Sequence, residues 1–241
     1  MVEALEKIIS KSKRIVFFGG AGVSTESGIP DFRSVDGLYH QTYAYPPETI
    51  LSHHFWWDKP EEFYRFYRDK MLVKGAKPNA AHLRLARLEA EGKLNAVVTQ
   101  NIDGLHQAAG SKQVYELHGS THRNYCVRCG KFYDMAFVAN STGVPHCTAC
   151  GAMVKPDVVL YGEGLDQQTV SGAIRAIRNA DTLIIGGTSM VVYPAAGLVD
   201  YFRGDELVVI NMQPTQADQS ASLCIAAPIG QVLDPNVRLE L

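Results

Sequence analysis

The chain has 241 residues, 46% of them hydrophobic, and its 23 basic and 25 acidic side chains give a formal net charge of −2. A chain of this length buries about 70–75% of its extended-chain surface, enough for one large domain or for a large and a small one. The balanced charge, without any block of lysine and arginine, argues against generic polyanion binding, so no direct contact with nucleic acid is expected. No segment has the roughly 18 apolar residues of a membrane span or the core of a signal peptide, so we expect a cytoplasmic protein without a membrane partner.

The predicted secondary structure alternates between helices and strands. An amphipathic helix comes first, over residues 2–12, because Leu5, Ile8 and Ile9 fall on one face. Short apolar runs, several of them rich in valine and isoleucine, then predict strands at residues 14–18, 94–99, 113–117, 157–161, 182–186 and 207–211.

The helices between these strands have recognisable ends. Asn79 suits the N-cap of a helix that ends at Gly92, and Asp166 suits the N-cap of a helix that runs through Ile174 and Ile177. Short apolar strands that alternate with helices predict an α/β fold with a doubly wound, mostly parallel sheet. Ligands in that architecture bind beyond the carboxyl ends of the strands, so we expect a binding site there.

The first strand leads into a glycine-rich turn, Gly19 to Ser24, which is followed by Pro-Asp-Phe-Arg at residues 30–33. Glycines after a strand let backbone N–H groups approach a pyrophosphate closely. The loop departs from the dinucleotide pattern G-x-G-x-x-G, because Thr25 occupies the third glycine position. A tight turn without a ligand is the alternative interpretation of these glycines.

Two segments interrupt the alternation of strands and helices. Residues 34–77 are aromatic and contain both tryptophans, with a helical pattern over residues 61–71, and residues 120–156 contain four cysteines. We interpret both as insertions that pack together as a small domain. Residues 1–33, 78–119 and 157–241 then form the sheet domain, with a cleft between the two.

Four cysteines form two C-x-x-C pairs, Cys126 with Cys129 and Cys147 with Cys150, separated by 17 residues. This spacing matches a tetrahedral zinc site with four thiolate ligands. Two disulfides are the alternative, which a reducing compartment disfavours. Because four thiolates leave no position for a catalytic water, we expect one structural zinc ion.

Three further residues near or beyond this segment are interpreted as surface, loop or buried residues without a ligand role. His122 and His146 are read as surface or loop histidines rather than as zinc ligands, since four cysteines already complete the site. Cys224 stands alone in an apolar run and is read as a small buried hydrophobic residue.

Polar clusters follow the predicted strands at the edge where the site is expected. The segment Thr99 to Asp103 joins two amides and a carboxylate, which suits a carboxamide and a ribose, although Asn101 or Asp103 could instead cap a helix. His118 can serve as a general base, or can be a structural histidine. Small polar groups at residues 187–189 and 211–213 suit adenosine contacts or turn capping.

Taken together, these residues resemble the sirtuins, the NAD-dependent protein lysine deacylases. Seven motifs in order carry the resemblance, namely GAGVSTESGIPDFR at 20–33, TQNID at 99–103, HG at 118–119, the paired C-x-x-C at 126–150, VVLYGE at 158–163, GTS at 187–189 and NMQ at 211–213. The resemblance implies a Rossmann-like NAD-binding domain, a small helical and zinc-binding module, and a cleft in which acyl-lysine and NAD meet.

The resemblance also implies the chemistry. NAD is a co-substrate: its bond to nicotinamide breaks while the acyl oxygen of an acetylated protein lysine captures the ribose carbon. Asn101 and Asp103, with Ile102, would hold the nicotinamide and Phe32 would shield it, while His118 would act as base on the ribose hydroxyls. The products would be free lysine, nicotinamide and O-acetyl-ADP-ribose.

Further binding residues follow from the resemblance, position by position. NAD would be bound by Gly20, Ala21, Gly22, Thr25, Asp31, Phe32, Arg33, Tyr39, Gln100, Asn101, Ile102, Asp103, His118, Gly187, Thr188, Ser189, Asn211, Gln213 and Ile229. The acylated peptide would be bound, mainly through main-chain pairing, by Phe32, Val159, Tyr161, Gly162, Glu163, Val191, Val192 and Tyr193.

The resemblance also bears on which acyl groups the protein would remove from lysine. In the family branch that removes succinyl and malonyl groups, a tyrosine and an arginine three residues apart grip the distal carboxylate. Here Tyr64 occupies the position of that tyrosine and Tyr67 the position of that arginine, while Arg65 and Arg68 are out of register on the helix. We therefore expect neutral acyl groups, acetyl first, with longer fatty acyl chains left open.

Two other classes of function compete with this interpretation. A mono-ADP-ribosyltransferase would cleave NAD in the same way but would pass ADP-ribose to a protein side chain. A non-enzymatic NAD sensor would need the cleft without the base, which His118 disfavours. A zinc hydrolase is disfavoured because four thiolates leave no open position on the metal.

Overall fold

The computed structural model describes residues 1–31 and 44–236. Its strands are β1 (Ile15–Gly19), β2 (Leu94–Thr99), β3 (Val114–Glu116), β4 (Gly119–Cys126), β5 (Phe132–Tyr133), β6 (Val154–Val158), β7 (Thr182–Gly186), β8 (Glu206–Ile210) and β9 (Leu223–Ile225). Three of the residues predicted to bind NAD or peptide, Phe32, Arg33 and Tyr39, lie outside the described residues.

The helices occupy the segments between these strands. They are α1 (Val2–Lys11), α2 (Pro47–Ile50), α3 (His53–Asp58), α4 (Pro60–Phe66), α5 (Ala80–Ala90), α6 (Leu105–Ala108), α7 (Met135–Asn140), α8 (Gln167–Asn179) and α9 (Ile229–Leu233). No helix in the described part of the chain is both long and apolar enough to span a bilayer.

The main sheet has six parallel strands in the order β3-β2-β1-β7-β8-β9. The order reverses between β1 and β7, which makes that pair the topological switch point where ligands bind in doubly wound folds. Side chains of α1, α5 and α9 pack on one face of the sheet, and side chains of α8 pack on the other. Because both faces are covered, β1 and β7 are buried at every position, which explains their uninterrupted apolar sequences.

Both predicted N-caps are confirmed. Asn79 Oδ1 accepts a hydrogen bond from the Ala81 amide at 3.0 Å at the start of α5. Asp166 Oδ1 accepts one from the Thr169 amide at 2.7 Å at the start of α8. These bonds satisfy amides that the first turn of a helix leaves without a backbone partner.

A second sheet is antiparallel and has the order β5-β4-β6. It corrects the prediction of a strand at residues 157–161 in the main sheet, because this part of the chain pairs instead with β4 as β6 (Val154–Val158). The prediction failed because an apolar run reveals that a strand is buried, but not which strand it pairs with. Helices α2 to α4 and α7 pack with this sheet around an aromatic cluster that contains Trp56, Tyr64 and Tyr67.

The edge of the main sheet gives a second correction. Cys224 lies on β9, which was not predicted as a strand, and the residue is exposed rather than buried. A three-residue strand at the edge of a sheet has one row of neighbours, so its central side chain can face solvent although its sequence is apolar.

Candidate active site

The glycine-rich loop after β1 packs directly against the end of β7. The Gly22 amide donates to the Gly187 carbonyl at 2.8 Å, and a Cβ on Gly22 would lie 2.8 Å from the Gly187 Cα. A Cβ on Gly20 would lie 2.9 Å from Thr188 Cβ. These glycines are therefore required for the close approach of two loops at the switch point, beside the place where a ligand is expected. Ala21 and Gly22 are half-buried and Thr25 is exposed along the same loop.

Three polar side chains from two strand ends form a hydrogen-bonded cluster. Ser24 Oγ donates to Asp103 Oδ2 at 2.7 Å, and Asn101 Nδ2 donates to Ser24 Oγ at 3.1 Å. Ser24 and Asn101 are buried. The other carboxylate oxygen, Asp103 Oδ1, accepts from the Leu105 amide at 2.9 Å at the start of α6, whose N-cap position is held by Gly104. Ser24 was not singled out from the sequence, because its partner lies 79 residues away.

His118 lies in the turn between β3 and β4 and is bonded to the loop that carries Asn101 and Asp103. Its Nδ1 is 3.0 Å from the Gln100 carbonyl oxygen. A carbonyl can only accept, so Nδ1 carries the proton and Nε2 keeps a free lone pair when the ring is neutral. Burial lowers the pKa of His118 below its ordinary value, and the bond to Gln100 opposes that shift only in part. The ring is therefore a neutral hydrogen acceptor near pH 7, the state that a general base needs.

The predicted adenosine side contains a second network at the ends of β7 and β8. The Thr188 amide donates to Asn211 Oδ1 at 3.0 Å, and Asn211 Nδ2 donates to the Thr188 carbonyl at 2.7 Å. Gln100 Nε2 donates to Thr188 Oγ1 at 3.0 Å. Thus three predicted NAD residues fix one another. Ser189 and Gln213 are exposed beside them.

Ile229 stands apart from the other predicted NAD residues. Its side chain is buried in the core beneath the sheet, where its Cδ1 would lie 2.3 Å from a Cβ on Gly186. The side chain therefore has a packing role, and only its backbone could reach a ligand.

The segment predicted to bind the peptide is held by bonds of its own. The amides of Val159, Tyr161 and Glu163 donate to the carbonyls of His118, Leu51 and Leu160, at 3.0, 2.9 and 2.9 Å. The Leu160 amide donates to the Glu163 carboxylate at 2.9 Å. Four of the five amides of residues 159–163 are thus already occupied, and the Tyr161 carbonyl accepts from the His53 amide at 2.9 Å, so pairing with a peptide there would use the backbone groups that remain. Asp31, Gly162, Val192 and the exposed Val191 and Tyr193 are also described.

Glu163 acts within the protein rather than as a free surface carboxylate. His53 Nδ1 lies 2.7 Å from one of its oxygens and Lys155 Nζ lies 3.0 Å from the other. Burial alone would raise the pKa of Glu163, but the bonds from the Leu160 amide, His53 and Lys155 outweigh it and lower the pKa. These contacts tie the predicted peptide segment to α3.

The four predicted zinc ligands come together. Their sulfur atoms all lie within 4.8 Å of one another, with Cys126 and Cys150 at 3.4 Å and Cys129 and Cys147 at 3.6 Å. Tetrahedral bonds of about 2.3 Å to zinc place sulfur atoms about 3.8 Å apart, so this donor set fits one zinc ion. Tyr133 Oη donates to Cys147 Sγ at 3.1 Å, a contact that the cysteine spacing does not reveal.

The two histidines of this segment bind carbonyl groups. His146 Nδ1 lies 3.0 Å from the Gly151 carbonyl oxygen, in the zinc-binding segment. His122 Nε2 lies 3.0 Å from the Asp103 carbonyl oxygen. His122 is exposed and lies outside the zinc site, as expected of a surface histidine, but it is on β4 rather than in a loop and contacts the candidate site.

Tyr64 and Tyr67 are both buried in the aromatic cluster. Tyr64 Oη donates to the Val154 carbonyl and accepts from Trp56 Nε1 at 3.1 Å. Tyr67 Oη has no hydrogen-bond partner among residues 1–31 and 44–236. Arg68 donates to the Val138 carbonyl at 2.9 Å, but its guanidinium carbon lies 5.6 Å from the Tyr64 ring centroid, so the prediction that it faces elsewhere is wrong. Ile102 packs at the border of the cluster.

Comparisons with known proteins agree with this geometry. The Sir2 family profile matches residues 20–194. The NAD-dependent protein deacetylase of Clostridium acetobutylicum is 59% identical over 236 residues, which cover 97% of this chain and 96% of the relative. A solved structure of Sir2 with a p53 peptide and NAD+ superimposes with a TM-score of 0.85 at 39% identity, over 97% of this chain and 95% of that one. Sir2 in complex with the inhibitor EX-527, 2'-O-acetyl-ADP-ribose and a deacetylated p53 peptide gives a TM-score of 0.84 at 38% identity, over 96% and 95%.

Proposed function

The chain belongs to the Sir2 family, and from that premise we propose how its residues divide the work of an NAD-dependent protein lysine deacetylase. The enzyme uses NAD and an acetylated protein lysine as substrates, and four cysteines hold one zinc ion. One observation carries the residue assignment. The neutral His118 ring, with Nε2 free to accept, is bonded to the loop whose Asn101 and Asp103 form a cluster with Ser24 at the carboxyl edge of the sheet.

In the first step, the acetyl oxygen attacks the anomeric carbon of the nicotinamide ribose, and the bond to nicotinamide breaks with its electron pair leaving on nicotinamide. Asn101 and Asp103 bind the carboxamide, and Ile102 packs beside it. Support for this role comes from the fixed orientation of both polar side chains, which share Ser24 as a hydrogen-bond partner. A preorganised pocket lowers the barrier by holding the reacting atoms in place.

The first step leaves the acetyl oxygen bonded to the ribose, as an O-alkylamidate. In the second step, His118 Nε2 accepts the proton of a ribose hydroxyl, and the resulting oxygen attacks the former carbonyl carbon of that O-alkylamidate. Collapse of this adduct and addition of water release free lysine and O-acetyl-ADP-ribose. Support comes from the proton on Nδ1, which the Gln100 carbonyl holds, and from burial, which keeps the ring neutral.

The four cysteines have a structural role in this assignment. Cys126, Cys129, Cys147 and Cys150 fill the coordination sphere of zinc, whose contribution is to stabilise the fold of the segment around β4 to β6. No step of the reaction requires a ligand position on the metal.

Three broader assignments complete the proposal. The main sheet and the helices on its faces form the NAD-binding domain, and the second sheet with helices α2 to α4 and α7 forms the small domain. The boundary expected at residue 157 therefore moves to the end of β6 (Val154–Val158), which pairs with β4. The loop after β1 lines the phosphate path, and Gln100, Thr188 and Asn211 face adenosine. The location is cytoplasmic, because cysteine thiolates gathered for zinc persist in a reducing compartment.

Product analysis tests the proposal. The enzyme is incubated with NAD and matched acetylated and unacetylated lysine peptides, and the products are identified by mass spectrometry. We expect nicotinamide and O-acetyl-ADP-ribose only with the acetylated peptide, which is itself converted to the free lysine peptide. ADP-ribose attached to either peptide would instead support the transferase alternative.

A further inference from the structure

A three-residue bulge in β4 lies between the main sheet and the second sheet. Gly119 and Ser120 pair with Val158 and Asp157, and Asn124 pairs with Pro156. Residues 121–123 therefore have no backbone pairing partner on β6, although Asp157 and Pro156 are adjacent there, and Arg123 meets Asp157 only through its side chain, with Nε 2.7 Å from Oδ2. Bulges redirect side chains and often occur next to active sites, so the contacts of these three residues are informative.

Two of the three residues bind the loop that carries Asp103. The Thr121 amide and Thr121 Oγ1 both donate to the Ile102 carbonyl, at 3.0 and 3.1 Å. His122 Nε2 lies 3.0 Å from the carbonyl oxygen of Asp103 and, because a carbonyl only accepts, carries the proton that it donates. Successive carbonyls of the loop are thus held by successive residues of β4.

The His122 ring also packs against the turn that follows. A Cβ on Gly104 would lie 2.8 Å from His122 Cδ2, and Gly104 has a φ of +70°, in the left-handed region that favours glycine. The ring therefore packs directly against the backbone at residues 103–104. Its bond to the Asp103 carbonyl fixes the peptide plane from which the Asp103 side chain points toward Ser24.

We propose that His122 is a positioning residue for the nicotinamide pocket. It acts through the backbone of Asp103 and sets how firmly the pocket holds free nicotinamide and the nicotinamide end of NAD. This inference rests on the proposed function, in which Asn101 and Asp103 bind nicotinamide. It adds that β4, a strand that ends at the zinc ligand Cys126, controls the shape of that pocket.

Side-chain geometry supplies a sharp set of variants. The amide nitrogen of glutamine is as many bonds from Cα as Nε2 of histidine, whereas the amide nitrogen of asparagine corresponds to Nδ1. His122→Gln can therefore restore the donor, while His122→Asn and His122→Ala cannot. His54→Ala is the matched control, because His54 is 88% exposed on α3 and contacts only Asp58 in the described chain.

The test measures the nicotinamide inhibition constant, the ratio of labelled nicotinamide exchange to deacetylation, and KM for an acetyl-lysine peptide. We expect His122→Ala and His122→Asn to raise the inhibition constant by about three- to tenfold, the effect of one ordinary hydrogen bond. Exchange should fall more than deacetylation, and peptide KM should stay within about twofold, because the lost contact acts on one pocket. His122→Gln and His54→Ala should resemble the wild type.

Three outcomes would overturn the inference. The first is an unchanged inhibition constant in folded His122→Ala, and the second is a His122→Gln variant as impaired as His122→Ala. The third is a loss that falls equally on peptide KM and on nicotinamide inhibition, which indicates general destabilisation. A wild-type enzyme without NAD-dependent deacetylation would instead refute the proposed function itself, so the two failures are distinguishable.

Discussion

The two buried tyrosines of α4 and the turn after it provide a matched test of the hydrogen bonding. Tyr64 and Tyr67 are both fully buried, in one aromatic cluster, and each loses only its hydroxyl on substitution by phenylalanine. Tyr64 Oη binds two groups, Trp56 Nε1 and the Val154 carbonyl, whereas Tyr67 Oη binds no described residue. The two substitutions should therefore differ clearly in their effect on the free energy of unfolding.

The magnitudes follow from the partners that each substitution leaves behind. Tyr64→Phe leaves a buried N–H and a buried carbonyl without a partner, and at about 1–3 kcal/mol for each such group we expect a loss of about 2–6 kcal/mol. Tyr67→Phe removes a buried hydroxyl that already lacks a partner, so the free energy of unfolding should change by less than about 1 kcal/mol or should rise. For a chain of this size, the first loss lowers Tm by about 4–24 °C.

The assay is urea unfolding of zinc-loaded protein without NAD or peptide, with zinc content measured for each variant. The wild type and both variants should show the same m-value, so that a change in midpoint reports stability. A Tyr67→Phe variant destabilised as much as Tyr64→Phe would refute the reasoning, because it would mean that the Tyr67 hydroxyl has a partner in the folded enzyme.

Four further predictions concern the zinc site, the reaction and its substrate. Cys129→Ala should lose zinc, melt at a lower temperature and lose activity through misfolding, because the free energy of zinc binding stabilises the fold at such sites. Thermal melts and metal analysis check this. His118→Ala should reduce deacetylation by 10²-fold or more, about the contribution of a general base, yet should retain some peptide-dependent nicotinamide exchange. Asp103→Asn should instead reduce deacetylation and exchange together. A succinyl-lysine peptide should have a much lower kcat/KM than its acetyl twin, because a buried carboxylate without a cation is costly, and Tyr67→Arg should narrow the gap. Burial lowers the pKa of His118, so the base stays neutral when the pH falls to about 6.5, the ordinary pKa of a histidine. We therefore expect kcat/KM for deacetylation to decline only at lower pH.

Each of these predictions has a contrary outcome. A Cys129→Ala enzyme without zinc that keeps its activity and Tm would contradict the structural role of the metal. Loss of exchange as complete as the loss of deacetylation in a folded, NAD-binding His118→Ala enzyme would place the histidine in the first step. Equal kcat/KM for succinyl and acetyl peptides would contradict the assignment of Tyr67. An acid limb above pH 6.5 would indicate that a different group titrates.

The sequence alone predicted the features that depend on neighbours along the chain. The strands at residues 94–99 and 182–186 have the predicted bounds, because both are mostly apolar runs whose residues are buried except for Asn95. Asn79 could be read as an N-cap, because capping is a contact within one turn of helix. The zinc site was predicted because C-x-x-C pairs carry their geometry in their spacing.

Tertiary structure decided the features that depend on partners far along the chain. β6 was predicted at residues 157–161 in the main sheet, yet Val154–Val158 pairs with β4, since an apolar run does not identify its neighbour. Ser24 joins Asp103 across 79 residues, and His53 meets Glu163 across 110. His122 reaches the Asp103 carbonyl only because β4 bulges at residues 121–123. Such contacts form when packing brings separate strand ends to one edge, and no local pattern of residues records where that packing will place them.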